Sequence, residues 1–462
     1  MIATATVPGC WVAGYSRLER ERPDAPGARW LAQLRRVGME RFSVLGIPDP
    51  HQEEWRKTNV SPIARVAFEP ANGAGGNTAT LAQAREQLAR LAAAGIAAPA
   101  LVFINGIYAA ELSDLSGLPE GIEAGSLAQA ASDRRDLVEA HLGTVAADLT
   151  PFTALNTAFL RDGVFVHLAS TAQSATPVHL VFLTARGVHP LACHPRVLVV
   201  AEPGSRGRLV EVHAGVESLS PPAAAGGPVA LFVNPVTEIV LSSGSVLDYD
   251  VVQPMAGREW RIASLGARIG PQASFSSRSI CLGGPLVRND VRAVLEAEGA
   301  SCTLDGLFLV RYGEHVDNHT VIDHARPGGT SRELYKGILA SGGRGVFDGK
   351  IVVRPDARKT DAMQANRNLL LADDAVMDTL PKLEILNNDV KCKHAATIGR
   401  LDETAVFYLR SRAVGVEEAR RILIQAFADE VIGRLPAEPL RAPLSAAVTD
   451  LLAAGPEAGG RT

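Results

Sequence analysis

The residues best suited to chemistry fall in two clusters. The first is Cys392-Lys393-His394, a thiol and an imidazole two positions apart. The apolar and turn residues around it predict an extended run. Val390, Cys392 and His394 then share one face, and Lys391 and Lys393 the other. On a strand the two Cα atoms lie roughly 6.5 Å apart. That spacing does not favour a closed chelate on one small ion. It suits contacts to different atoms of a multinuclear cluster, or a thiol–imidazole relay. The flanking lysines would lower the thiol pKa modestly where they approach it. A small core thiol beside a hydrogen-bonded histidine gives the same pattern, so spacing alone leaves both readings open.

The second cluster is Glu314-His315-Val316-Asp317-Asn318-His319, followed by Asp323-His324. On a helix His315 and His319 would share a face and could bind a metal. Its residues are poor helix formers and its surroundings are β-rich. On a strand the two histidines stand roughly 13 Å apart, so this cluster is not assigned as a metal site. Cys193-His194 and the scattered His167, His179, His189 and His213 have no spacing that forces a ligand set. The sequence has no CxxC, Walker A, Gly-x-Ser-x-Gly or HExxH motif. It therefore lacks the usual ferredoxin, zinc-ribbon, nucleotide and hydrolase signatures.

The elements that position these residues divide the chain in three. Length, at 462 residues, allows two or three domains. Residues 1–150 read as mostly helical, with helices over 11–46, 81–94 and 127–147. A polar segment, EEWRKTNVSPI, lies over 53–63. ANGAGGNT at 71–78 reads as a linker, and LVFINGIYAAEL at 101–112 as a hairpin turned by Asn105-Gly106. From 151 to about 400, after one short helix at 152–160, short β-rich runs alternate with Gly, Pro, Asn and Asp. That texture argues all-β and fits a sandwich, a barrel or a solenoid. No strict hexapeptide or nonapeptide repeat selects among them. Residues 401–462 return to helix. Asp402 is a candidate N-cap, and a second helix carries Ile422, Leu423, Ala426, Phe427 and Val431 on one face. A last short helix is expected over 444–453.

A net charge of −4 gives no electrostatic case for nucleic acid or an anionic membrane. No run is long and apolar enough to span a bilayer. The first residues lack a basic start followed by an apolar core, so no secretory signal is expected. Five scattered cysteines argue against a disulfide framework, and the cytoplasm is the expected compartment.

Several ordered segments resemble the SufB/SufD family of iron–sulfur cluster assembly scaffolds. They are the Glu-Glu-Trp-Arg segment at 53–56, the His/Asp cluster, SRELYKGIL, GRGVFDGKIVV, QANRNLLL and, most specifically, DVKCKHAATIGRLDETAVFYLRSR. SufB proteins typically carry Cys-Asp-Ser-Leu-Leu and Glu-His-Glu-Ala-Thr segments. Here the corresponding runs are Asn366-Arg367-Asn368-Leu369-Leu370 and Lys393-His394-Ala395-Ala396-Thr397, so the likeness is to the SufD branch. Ala413-Val414-Gly415 departs from the family, which more often has Gly-Ile/Leu there.

The resemblance implies a right-handed parallel β-helix core over 151–400, flanked by an N-terminal mostly helical domain and a C-terminal helical domain. It implies a non-catalytic subunit that pairs with SufB through the β-helix cores and docks the ATPase SufC through the C-terminal helices. SufC dimerisation would then strain the SufB–SufD interface. A nascent Fe–S cluster would form at that interface, supported by iron acquisition, with His394 as a transient metal ligand shared with SufB and Cys392 beside it. Phe407, Ile422, Leu423 and Phe427 are the candidate partner-binding residues. The isolated chain is expected to bind no cofactor and to be able to form a homodimer. The competing class is an all-β metal-dependent enzyme, for example a β-helix carbohydrate enzyme, using His394 or the His/Asp cluster.

Overall fold

The structure is a computed structural model. It describes residues 8–21, 29–71, 78–146, 149–187, 189–216, 231–253 and 259–453. The linker expected at 71–78 lies mostly outside the described residues.

From Arg196 onward the chain alternates between two sheets, one strand in each per coil. Arg196–Ala201 and then Val236–Leu241, Glu259–Ile269, Leu286–Leu295, His315–His324, Arg344–Val353 and Val376–Ile385 build the first sheet. Arg206–Gly215, Val246–Gln253, Ser274–Cys281, Ser301–Val310, Thr330–Leu339, Asp361–Leu370 and Lys391–Gly399 build the second. Neighbouring strands within each run are parallel and in register. The result is a parallel β-solenoid of about seven turns. Strands from earlier in the chain extend the sheets. Ala100–Ile104 pairs with Gln173–Thr184 in the second, and Ile122–Ser126 with Val164–Leu168 in the first.

Alternation along each strand sends one set of side chains into the bore and the other outward. Leu247, Tyr249, Phe275, Leu304, Phe308, Val316, Ile322, Phe347 and Met377 fill the bore. Helices cover both outer faces. Trp11, Phe42, Trp55 and Phe152 pack with Phe232, Ile262 and Leu286 on the first sheet. Ile424, Ala428, Val431, Ile432 and Leu435 pack with Ile280, Leu307, Leu309 and Ile338 on the second.

Most expected elements form, with instructive differences. Asn105 and Gly106 both have positive φ, 51° and 83°, as a primed hairpin turn requires. The helix expected over 127–147 is two short helices, Leu127–Asp133 and Arg135–His141, broken where Arg134 leaves helical geometry. The last helix starts earlier than expected, at Glu438, with Pro443 inside it. In Val416–Ile432 the sheet-facing stripe is Ile424, Ala428, Val431 and Ile432, and Ala419 is buried away from it. Ile422 and Ala426 are exposed, and Leu423 and Phe427 half-buried. The small Ala428 lies among Ile424, Val431 and Ile432 on the sheet-facing side, so that face is turned away from the Ile422–Phe427 stripe.

The His/Asp cluster clamps the N-terminal layer to the solenoid. It lies on one extended strand, His315–His324. Thr58 donates to Asp317 Oδ2 at 2.5 Å and its oxygen lies 2.8 Å from His315 Nε2. Arg288 donates to Asp317 at 3.1 Å and to the Glu54 carbonyl at 2.7 Å, and its guanidinium lies 3.7 Å over the Trp55 ring. His319 Nε2 pairs with the other Asp317 oxygen at 3.1 Å. Burial opposes charge on Asp317, yet His319 and Arg288 hold its carboxyl well below the usual range. Burial also works against His319, but the Asp317 carboxylate raises its pKa above 6.5. His315 is shifted down, mainly by burial.

Two predictions follow from this packing. Removing the central charge with Asp317→Asn should cost about 3 kcal/mol, because it leaves Arg288 and His319 buried with less compensation. Hydrogen exchange should show residues 53–65 losing protection first. Since His319 is raised in the fold, its contribution is full below 6.5 and is lost as pH rises through the folded value. The Tm difference between wild type and His319→Gln should therefore be larger at pH 5.5 than at pH 9. Separately, Ala413 ends the helix Glu403–Arg410 region with φ at 65°, a conformation suited to glycine. Ala413→Gly should raise stability by about 1 kcal/mol, read as an increase in Tm.

Candidate functional site

Among the described residues, the solenoid ends on two strands that have no further coil to pair with. Val376–Ile385 closes the first sheet and Lys391–Gly399 the second, each bonded along one edge to its predecessor. The other edge of each carries backbone groups with no next strand, a template for another chain. Lys391–Gly399 is exposed along almost its whole length; only Cys392 is half-buried. Apolar side chains stand around this end, among them Leu386 at 56% exposure and Ile398 at 47%.

Cys392 and His394 lie on this last strand, with the same-face spacing expected. Cys392 is in register with Ala362, and His394 with Gln364. The expectation for the thiol pKa is corrected by the structure. Burial raises it, the Ala362 backbone hydrogen bond offsets part of that, and Asp361 adds to the rise. Lys391 and Lys393 project to the opposite face and do not enter. The thiol is therefore protonated at neutral pH in the chain alone.

Beneath the last strand the bore is polar. Asn366 and Asn368 are buried in mid-strand. Asn368 Nδ2 donates to Asn366 Oδ1 at 2.6 Å, and Asn366 Nδ2 to the Tyr335 carbonyl at 3.1 Å. Gln364 Nε2 donates to Glu333 at 2.7 Å. Burial pushes the Glu333 carboxyl up to about 7. Sequence reading missed this layer because its members lie 31 positions apart, as Glu333 and Gln364 do. The only available signal was polar residues at alternate positions of QANRN, where a core strand would be apolar. Asn387 does form a turn: its side chain donates to the Pro355 carbonyl and accepts from the Asp389 amide.

The candidate partner-binding residues divide. Asp402 caps the helix Glu403–Arg410 by accepting from the Thr404 amide at 2.8 Å. On that helix Phe407 is 69% exposed and Tyr408 55%. Ile422 is exposed and Leu423 half-buried. Phe427 is engaged within the chain, with Lys336 Nζ 3.7 Å over its ring. Lys336 also pairs with Glu430 at 2.6 Å, and Arg434 with Asp305 at 2.7 Å, pinning the helix Val416–Ile432 to the second sheet.

The His/Asp-cluster residues on which a metal-dependent enzyme could rest are engaged within the fold. His315 and His319 belong to the clamp, and His324 Nε2 lies 2.9 Å from Ser331 Oγ. Among the described residues, no group of three or more His, Cys, Asp or Glu is arranged to hold a metal ion. No helix among them is long and apolar enough to cross a membrane.

Comparison with known proteins agrees with this architecture. Residues 182–427 match the SufBD core domain of the SUF system for FeS cluster assembly, and residues 18–180 match the SufBD protein N-terminal region. An iron–sulfur cluster assembly SufBD family protein of Synechocystis is 30% identical over 91% of this chain and 90% of its own length. The iron–sulfur cluster assembly protein SufD of Bacillus subtilis is 26% identical over 89% of the chain and 92% of its own length. SufD of Escherichia coli is 37% identical over a shorter stretch, 40% of this chain and 44% of its own. The chain belongs to the SufBD family of iron–sulfur cluster assembly proteins and is SufD-like.

Proposed function

We propose that this chain is the non-catalytic partner in a two-subunit scaffold of the SUF system. It pairs with SufB through the open end of the solenoid and docks SufC through its C-terminal helices. The nascent Fe–S cluster is its cargo, met at the junction by His394 with Cys392 beside it. The observation that carries this reading is the last coil. It combines sheet edges unpaired among the described residues, exposed apolar residues and an accessible thiol–imidazole pair at a single end of the solenoid. Neither side chain completes an iron site, since a cluster iron is held by several protein and sulfide ligands. A second surface must supply the rest, and the unpaired edges are where a second β-solenoid would seat. Burial keeps the Cys392 thiol protonated in the chain alone, so His394 is assigned the first contact and Cys392 a role once the interface forms. The exposed Phe407, Tyr408 and Ile422 support the docking of a second partner, whereas Phe427 serves chiefly to hold its helix on the sheet.

The test is co-expression with cognate SufB and SufC, measuring iron and acid-labile sulfide in the purified complex. His394→Ala should leave assembly unchanged and remove most of the cluster. Unchanged cluster content would make His394 structural, and failure of the wild-type complex to form would remove the pairing. A double variant, Phe407→Asp with Ile422→Asp, should lower SufC recovery roughly tenfold while SufB recovery holds, as loss of an aromatic hot spot does. Equal SufC recovery would place docking elsewhere.

A further inference from the structure

We propose that Gln364 is a positioning residue for His394. Its side-chain oxygen, aimed by Glu333, accepts an imidazole N–H and so decides which ring nitrogen is left bare for the cargo. This rests on the reading that His394 meets the cluster.

The geometry begins with register. Gln364 and His394 are partners on adjoining parallel strands. Registered residues on such strands point to the same face, with backbones about 4.8 Å apart. Gln364 faces the bore and is 1% exposed. His394 therefore stands directly above it at the open mouth.

The amide of Gln364 is held from two sides. Its Nε2 donates to Glu333 Oε2 at 2.7 Å, on the next strand inward. From the opposite sheet the backbone of Gly349 comes so close that a Cβ there would sit 2.5 Å from Gln364 Nε2. The amide nitrogen faces Glu333, and the oxygen is turned away from it. That oxygen is buried and has no hydrogen-bond partner among the described residues. A buried orphan acceptor lies on one strand, and an imidazole with an N–H to give lies at the registered position of the next.

The consequence is chemical. A neutral imidazole carries its proton on one nitrogen, and the partner of that N–H fixes the tautomer and the ring's orientation. Histidines that ligate metals ordinarily have such a partner on the far nitrogen. Gln364 supplies it from within the fold, so the remaining lone pair points out of the mouth.

The test uses the full chain without SufB, so it does not depend on cluster formation. Histidines are labelled with 13C and 15N, and the His394 ring signals are identified by their loss in His394→Ala. At alkaline pH, where imidazoles are neutral, the wild type should show one dominant tautomer. In Gln364→Met, which keeps length and removes the acceptor, the minor tautomer should rise roughly tenfold, the ratio that one good hydrogen bond supports. Gly349→Ala, which displaces the amide without removing it, should move the ratio the same way. A wild-type ratio equal to that of free histidine measured alongside would overturn the proposal, even if neither variant folds. So would a folded Gln364→Met with the wild-type ratio. Either result leaves the role of His394 in the complex to be judged by its own cluster measurement.

Discussion

The structure depends on one constraint: successive coils stack in parallel and in register, so each residue shares a face with the residue one coil away. Everything a coil puts inward or outward must be accepted by the coils on either side. Apolar inward residues satisfy this by forming the continuous bore core. Apolar outward residues satisfy it only because helices from both ends of the chain lie over the two outer faces. The flanking helices are thus parts of the same packing problem as the solenoid.

The same constraint governs the charges. An ion inside this stack costs several kcal/mol to desolvate, so it persists only beside its opposite. Arg278 meets Asp250 at 2.9 Å, and Arg288 meets Asp317 at 3.1 Å, each across one coil step. Arg196 pairs with Glu238, whose oxygens also accept amides of Gly143, Val145 and Ala146. That carboxylate therefore ties the N-terminal region to the first sheet. The His/Asp cluster is another such case. Its density of polar residues suggests a ligand set in sequence, but its charges are used up in seating Trp55 and Thr58.

Much of this was legible in the sequence, and the limits have physical causes. The β texture from 151 to 400, the Asn105-Gly106 hairpin and the Asp402 cap follow from local rules, and they form. The solenoid did not follow from pattern, because its repeat is not fixed. Registered partners are 28 residues apart at Asp250 and Arg278, 29 at Arg288 and Asp317, and 31 at Glu333 and Gln364. The turns absorb the difference, so no period appears, and the family resemblance supplied what periodicity did not. The same long spacing hid the polar layer beneath His394. Buried amides in mid-strand, as at Asn366 and Asn368, make sense only once their partners in the neighbouring strands are known. On Val416–Ile432 the expected stripe of Ile422, Leu423, Ala426 and Phe427 is not the sheet-facing one, which runs through Ile424, Ala428, Val431 and Ile432.

A stacked architecture protects every coil except its last. Interior coils hide their backbone edges and pair their polar groups with neighbours on both sides; Lys391–Gly399 has a neighbour on one side only. Cys392 and His394 sit on that strand. Placed one coil earlier, they would be sealed in the bore, where burial drives thiols upward, as at Cys281, pushed to about 12. Placed on a loop, they would lack the rigid register that sets their spacing and brings Gln364 beneath His394. On the terminal strand they keep the rigid spacing and remain open to a second surface. Under the function proposed above, an incomplete ligand pair there would hold cargo only with another coil laid against it, and the unsatisfied edge that drives assembly would make cluster building conditional on assembly.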